Sequence, residues 1–316
     1  MVINSESENY FTELQNCTLC PRECGVNRLS GELGYCKASS AFHVSSICLH
    51  RGEEPALSGA NGICNVFFSH CNLSCVYCQN HQISCKHDAL EEVLNLNQVL
   101  KKIIPFLNSG INTIGFVSPS HMVTQVKQII TALRNKGFNP TFVWNSNGYD
   151  KPEVLRSLET FIDIYLPDFK YIESEDSKLF SDAADYPLVA LAAIKEMYYQ
   201  KGSKLFLNDD GIAERGLIIR HLVLPNRVEA SIKLLKTIAD EISTNVTLSL
   251  MAQYYPTEKV SNHNVLGRKI TNEEYIEVSE AMYKLGFVNG WIQEHESAIH
   301  YCPDFNKSQP FEKEKL

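Results

Sequence analysis

The residues most able to do chemistry in this chain are cysteines. Cys71, Cys75 and Cys78 stand at spacing C-x3-C-x2-C within Ser69-His70-Cys71-Asn72-Leu73-Ser74-Cys75-Val76-Tyr77-Cys78-Gln79-Asn80. The apolar run Ile63–Phe68 just before them reads as a strand, so the three thiols fall in the loop at its C-terminal end. Three thiolates converging in one short loop suit an iron–sulfur cluster. A cubane takes four cysteine ligands, so a loop that offers three leaves one iron open. An open coordination position separates reactive metal sites from structural ones. A zinc knuckle or unrelated thiols is the plain alternative, and the placement of the motif between a strand and a helix argues against it.

A second cysteine element comes earlier. Cys17, Cys20, Cys24 and Cys36 lie among Pro21, Gly31, Gly34 and charged residues, in a stretch too poor in apolar side chains to build much core. A bound metal would supply the missing stability. Zinc in a four-cysteine knuckle and a second iron–sulfur cluster both fit the spacing, and the bland reading is four unrelated buried cysteines. Cys48, Cys64, Cys85 and Cys302 carry no assignment.

The whole chain bounds these readings. Its 316 residues suffice for one large α/β domain with a small appendage. With 44% hydrophobic and 21% charged residues it has the composition of a soluble globular protein. No apolar run approaches the ~20 residues that span a bilayer, and the polar start Met1-Val2-Ile3-Asn4-Ser5-Glu6 is unlike a signal peptide. A cytoplasmic location is the expectation, without membrane contact. The net charge of -8 argues against general nucleic-acid binding. Eleven cysteines without an export signal point to metal ligation rather than disulfides. An exposed cluster would favour a low-oxygen setting.

The elements that must position the cysteines follow from periodicity. Residues 1–62 read as an arm, the four-cysteine module and a connector over 39–62 that carries His50-Arg51-Gly52-Glu53-Glu54-Pro55. That charged cluster is a solvated loop or, more sharply, a segment packed on the cysteine loop. From residue 63, short β-rich runs alternate with amphipathic segments, as parallel strands joined by helical crossovers do. The expected strands are Ile63–Phe68, Ile111–Val117, Thr141–Trp144, Ile162–Leu166, Leu217–Leu224, Val246–Leu250 and one near Phe287–Ile292. Between them, helices are expected over about 90–107, 122–133, 151–158, 174–200, 228–242 and 272–285. The fold class is therefore α/β, a partial (β/α)6-type parallel barrel over 63–295. Residues 296–316, with Pro303 and a Lys/Glu run, read as a loose tail.

In such barrels ligands gather at the C-terminal ends of the strands. Those ends read Ser118-Pro119-Ser120-His121, Asn145-Ser146-Asn147-Gly148-Tyr149, Pro167-Asp168-Phe169-Lys170, Arg220-His221 with Leu224-Pro225-Asn226, and Met251-Ala252-Gln253-Tyr254-Tyr255-Pro256. Any one of these is ordinary turn chemistry. Five in phase make the rim of a pocket.

The cysteine loop, with Tyr77 before its last cysteine, resembles the signature of radical S-adenosylmethionine enzymes, and Cys71–Asn80 resembles their activating-enzyme branch. Asp168-Phe169-Lys170 is similar to that branch's Asp-x-Lys element, Asn145-Ser146-Asn147-Gly148 to its Asp-Thr-Asn-Gly turn, and Ile219–Pro225 to its fifth strand. With Cys-x2-Cys-Pro-Arg-x-Cys at the N-terminus, the chain resembles the group labelled pyruvate formate-lyase activating enzyme-like. The resemblance implies a [4Fe-4S] cluster on Cys71, Cys75 and Cys78, and S-adenosylmethionine held by Tyr77, Ser118, Ser120, Asn145, Ser146, Asp168, Lys170 and Arg220. It also implies an electron donor such as a flavodoxin or ferredoxin, and hydrogen abstraction from a glycyl radical enzyme. Radical modification of a small molecule or RNA is the enzymatic alternative, and an iron–sulfur redox or iron sensor the non-enzymatic one. One departure stands out. Ser118-Pro119-Ser120-His121 replaces the usual Gly-Gly-Glu, so the carboxylate that could pair with the cofactor's ammonium is absent from that strand end.

Overall fold

The computed structural model describes residues 11–86, 88–294 and 303–311. Its centre is a ten-stranded sheet. The strands are β1 (Phe42–His50), β2 (Ile63–Phe68), β3 (Glu92–Leu94), β4 (Thr113–Val117), β5 (Thr141–Ser146), β6 (Ile164–Pro167), β7 (Phe206–Leu207), β8 (Ala213–Leu222), β9 (Thr247–Met251) and β10 (Gly290–Ile292). Their spatial order is β10-β9-β8-β6-β5-β4-β2-β1-β3, with β7 paired to β8. From β2 to β10 along that path every pairing is parallel. The long helices are α1 (Leu96–Asn108), α2 (Val123–Asn135), α3 (Ser174–Ser181), α4 (Tyr186–Lys201), α5 (Val228–Glu241) and α6 (Asn272–Lys284).

This is the open barrel that the alternation of elements dictates. β2, β4, β6 and β9 are buried at every residue, as parallel strands covered on both faces must be. Helix α2 turns Val126, Ile129, Ile130 and Leu133 inward at helical spacing, all fully buried. Asn95 starts α1 with a capping box shared with Gln98.

Four expectations change. The helix expected over 174–200 is two, α3 and α4, parted where Asp182 takes a left-handed backbone at φ 56°. The connector over 39–62 is in part a strand: β1 pairs antiparallel with β2, Ile47 opposite Val66, and with β3, Phe42 opposite Leu94. Its polar residues hid it. Residues 92–94 are strand rather than the start of a helix, because β1 offers them an open edge and Asn95 places the helix start after them. The tail is not loose where it is described: Phe305 packs with Phe67, Cys48 and Ile83, and the Phe305 N–H donates to Gln82 Oε1 at 2.8 Å. Residues 1–10, His295, His300, Tyr301 and Cys302 lie outside the described residues.

Candidate active site

The C-terminal ends of the parallel strands surround one cavity of about 650 Å³. Cys71, Cys75 and Cys78 line it together with Tyr77, Ser118, Asn145, Ser146, Asp168, Lys170 and Arg220. The structure thus brings the three cysteines and seven of the eight expected cofactor residues into one space. Ser120 is the exception. It sits buried in the turn after β4 and does not line the cavity.

The cysteine loop leaves β2 through His70, which has a left-handed backbone at φ 68°, and Ser118 at the end of β4 does the same at φ 53°. Strained non-glycine backbone of this kind gathers at functional sites. Each sulfur then meets a donor from elsewhere. Asn147 Nδ2 donates to Cys71 Sγ at 3.3 Å, Ser181 Oγ to Cys75 Sγ at 2.9 Å and Ser84 Oγ to Cys78 Sγ at 3.2 Å. Burial pushes the Cys71 thiol up to about 11 and the Cys75 thiol up to about 12, and the hydrogen bonds work against it, since such bonds favour negative sulfur and tune a cluster's potential. The donor set therefore fits a [4Fe-4S] cluster. The Ser181 hydroxyl also faces Tyr171 at 2.7 Å, and Tyr171 in turn meets Tyr77 at 2.6 Å. Tyr77 thus belongs to a hydrogen-bonded chain ending on Cys75.

The polar wall is built from alternation along the strands. In β8, Arg220 points into the cavity while His221 points away. His221 contacts the Phe169 carbonyl and Ser231 Oγ at 2.8 and 2.9 Å, and burial holds its imidazole down at about 4, hence neutral. Arg220 donates to Asp168 Oδ1 at 2.8 Å and to Asn145 Oδ1 at 2.6 Å. Lys170 Nζ closes the set on Asp168 Oδ2 at 2.6 Å. Burial by itself would raise the Asp168 carboxyl, but the charges of Arg220 and Lys170 outweigh it and hold it below its ordinary value. Gly148 makes the neighbouring turn. Its φ is +79°, and a side chain there would collide with the Asp168 carbonyl.

Two acidic residues of the site were not among those expected. Glu53 and Glu54 enter the cavity wall from the segment between β1 and β2. Glu53 Oε1 accepts from Asn65 Nδ2 at 2.8 Å and Asn145 Nδ2 at 3.3 Å, and its Oε2 lies 3.5 Å from Arg220. Gly115 makes this possible: any side chain on it would occupy the place of the Asn65 amide that holds Glu53. Burial pushes the Glu54 carboxyl up. The charged cluster was visible in the sequence, but only the β1–β2 hairpin, with His50 opposite Ile63, sets it at the start of β2, from where Glu53 and Glu54 enter the cavity wall.

The N-terminal cysteines also converge. Cys17, Cys20, Cys24 and Cys36 line a separate small cavity with His121. Arg22, inside this element, donates through Nε to the Asn72 carbonyl of the Cys71–Cys78 loop at 2.9 Å and lies 3.7 Å from the Tyr35 ring.

Comparison with known proteins bears on the cluster and the fold. Residues 57–180 match the family model of a 4Fe-4S single cluster domain. An uncharacterized protein of Methanocaldococcus jannaschii is 28% identical over 268 residues, which cover 82% of this chain and 72% of that one. Among solved structures, the FeFe-hydrogenase maturase HydG from Carboxydothermus hydrogenoformans superposes with a TM-score of 0.51 at 13% identity, over 73% of this chain and 52% of that chain. A second HydG structure gives 0.49 at 11%, over 75% and 53%. The chain spans about half the length of these solved structures. The open parallel barrel is a fold that this chain shares with HydG. No helix among the described residues is long and apolar enough to cross a membrane.

Proposed function

We propose that the protein is a radical S-adenosylmethionine enzyme with its cluster on Cys71, Cys75 and Cys78. One arrangement carries this reading: three hydrogen-bonded cysteine sulfurs open onto the same cavity as a wall of paired charges at the strand ends. Bound there, a [4Fe-4S] cluster would supply one electron to split a sulfonium C–S bond of S-adenosylmethionine, giving methionine and a 5′-deoxyadenosyl radical that takes hydrogen from a substrate.

The chain's own part is binding and orientation. Glu53 is the carboxylate available to the cofactor's ammonium, in the role that Ser118-Pro119-Ser120 does not fill. Lys170 and Arg220 are the cations available to its carboxylate, and Asp168 keeps both aimed into the cavity. Asn145 and Ser146 offer neutral donors and acceptors beside them. The substrate we favour is a glycine of a partner enzyme, with a flavodoxin or ferredoxin delivering the electron. The activating-enzyme motifs around Cys71, Asn145 and Asp168 support that choice.

Anaerobic, iron-loaded and reduced protein given S-adenosylmethionine should release 5′-deoxyadenosine and methionine in equal amounts. Asp168→Ala and Lys170→Ala should weaken cofactor binding and keep the cluster's absorption. Intact S-adenosylmethionine after reduction would overturn the reading. The finer substrate assignment requires an organic radical on a glycine of the partner, located by isotopic labelling; cofactor cleavage without it would send the search to another substrate.

A further inference from the structure

Arg28 is 1% exposed. Its guanidinium donates to the Ser39 carbonyl twice, at 3.1 and 2.6 Å, to the His121 carbonyl at 2.7 Å, and to the sulfurs of Cys17 and Met122 at 3.9 and 3.6 Å. Among the described residues no carboxylate pairs with it. An arginine never gives up its charge in a protein, and a buried charge without a counter-charge is costly. The nearest source of negative charge is the set of cysteines around it: Arg28 lines the same cavity as Cys17, Cys20, Cys24 and Cys36. Four neutral thiols leave the arginine uncompensated. A metal centre with four thiolates compensates it, since Zn²⁺ or a [4Fe-4S]²⁺ core with four thiolates carries a net charge of -2 in either case.

A second observation points the same way. His121, 1% exposed, lines this cavity, and its Nε2 meets the Ser69 carbonyl at 2.9 Å, which makes that nitrogen the donor. Its Nδ1 is buried with no hydrogen-bond partner. A buried nitrogen without a partner, on a residue that lines the four-cysteine cavity, is an unmet polar group at this place.

We propose that Cys17, Cys20, Cys24 and Cys36 carry a closed metal–thiolate centre, distinct from the cluster on Cys71, Cys75 and Cys78, whose negative charge is balanced by the buried Arg28. Arg28 is a positioning residue in it. It also ties the centre to the catalytic loop, because the His121 carbonyl takes its hydrogen bond while the His121 ring holds Ser69, two residues before Cys71. The chain Arg28–His121–Ser69 thus runs from the four cysteines to the base of the cysteine loop.

The test uses the full chain with Cys71, Cys75 and Cys78 all replaced by Ala, so its outcome does not depend on the catalytic reading. Purified with zinc, or reconstituted anaerobically with iron and sulfide, this variant should retain about one zinc or about four irons, and which one identifies the centre. Adding Cys20→Ser and Cys36→Ser should remove it. Retention of neither metal overturns the proposal. Chelation should lower the melting temperature of the triple variant, and an unchanged melting temperature counts against the centre without requiring any change at Arg28. In the same background Arg28→Met should weaken metal affinity about tenfold, with Arg28→Lys recovering part of it. Circular dichroism checks that each variant is folded. Parent-like affinity in folded Arg28→Met would remove Arg28 from the proposal.

Discussion

Glu53 Oε2 and the guanidinium of Arg220 lie 3.5 Å apart at the strand-end cavity, joining the segment after β1 to the parallel strand β8. Arg220 therefore sits between two carboxylates, with Asp168 on its other side. The site holds Asp168, Glu53 and Glu54 against Lys170 and Arg220. Such a wall suits a zwitterionic ligand, whose ammonium and carboxylate each find a partner of opposite charge.

Glu53→Gln should weaken S-adenosylmethionine binding about tenfold, or ~1.4 kcal/mol, while iron per chain stays at the parent's value. Equilibrium dialysis on cluster-loaded protein beside an iron assay reads both quantities. Parent-like affinity would return Glu53 to a purely structural role on Asn65 and Asn145.

Ser181→Ala removes the hydroxyl that donates to Cys75 Sγ at 2.9 Å. A donor on a ligand sulfur stabilises the more negatively charged, reduced cluster, so its loss should lower the reduction potential. Potentiometric titration under anaerobic conditions checks the sign. A potential that stays or rises would show that this hydrogen bond does not tune the cluster.

Glu274 gives a pH dependence away from the cavity. Its carboxylate takes two hydrogen bonds from Arg268, at 2.7 and 2.8 Å, and closes the capping box of α6 with Thr271. Arg268 above all pulls its pKa down to about 2. A carboxyl lowered in the folded state contributes stability that is present above its unfolded value near 4.5 and is lost as pH falls toward 2. Glu274→Gln should cost about 1 kcal/mol at neutral pH, allowing for solvent screening, and the difference from the parent should vanish near pH 2. Urea unfolding of the protein freed of iron, variant beside parent, at pH 7, 4 and 2.5 reads it. A gap that persists unchanged at pH 2.5 would count against the ion pair.

The sequence by itself determined the cysteine loop and the barrel, because both are local. The spacing of Cys71, Cys75 and Cys78 lies within one loop. The parallel strands announce themselves as apolar runs, since buried strands must be apolar on both faces. Asp168, Lys170 and Arg220 were legible for the same reason, standing at or just beyond the ends of those runs. Only the tertiary structure decided the rest. β1 interrupts its apolar residues with His43, Ser45 and Ser46, so it lacks the continuous apolar run that marked the buried strands; its pairing with β2 identifies it. Glu53 reaches the cavity through that pairing, and Ser181 reaches Cys75 because α3 lies against the cysteine loop, where the Ser74 and Val76 N–H groups donate to carbonyls of α3. Ser120 shows the converse. Its place in the motif put it beside the cofactor, but the turn after β4 carries it away from the cavity wall. The charge of Arg28 was in the sequence from the start, and its burial without a carboxylate partner came only with the fold, which sets it against four cysteines and His121.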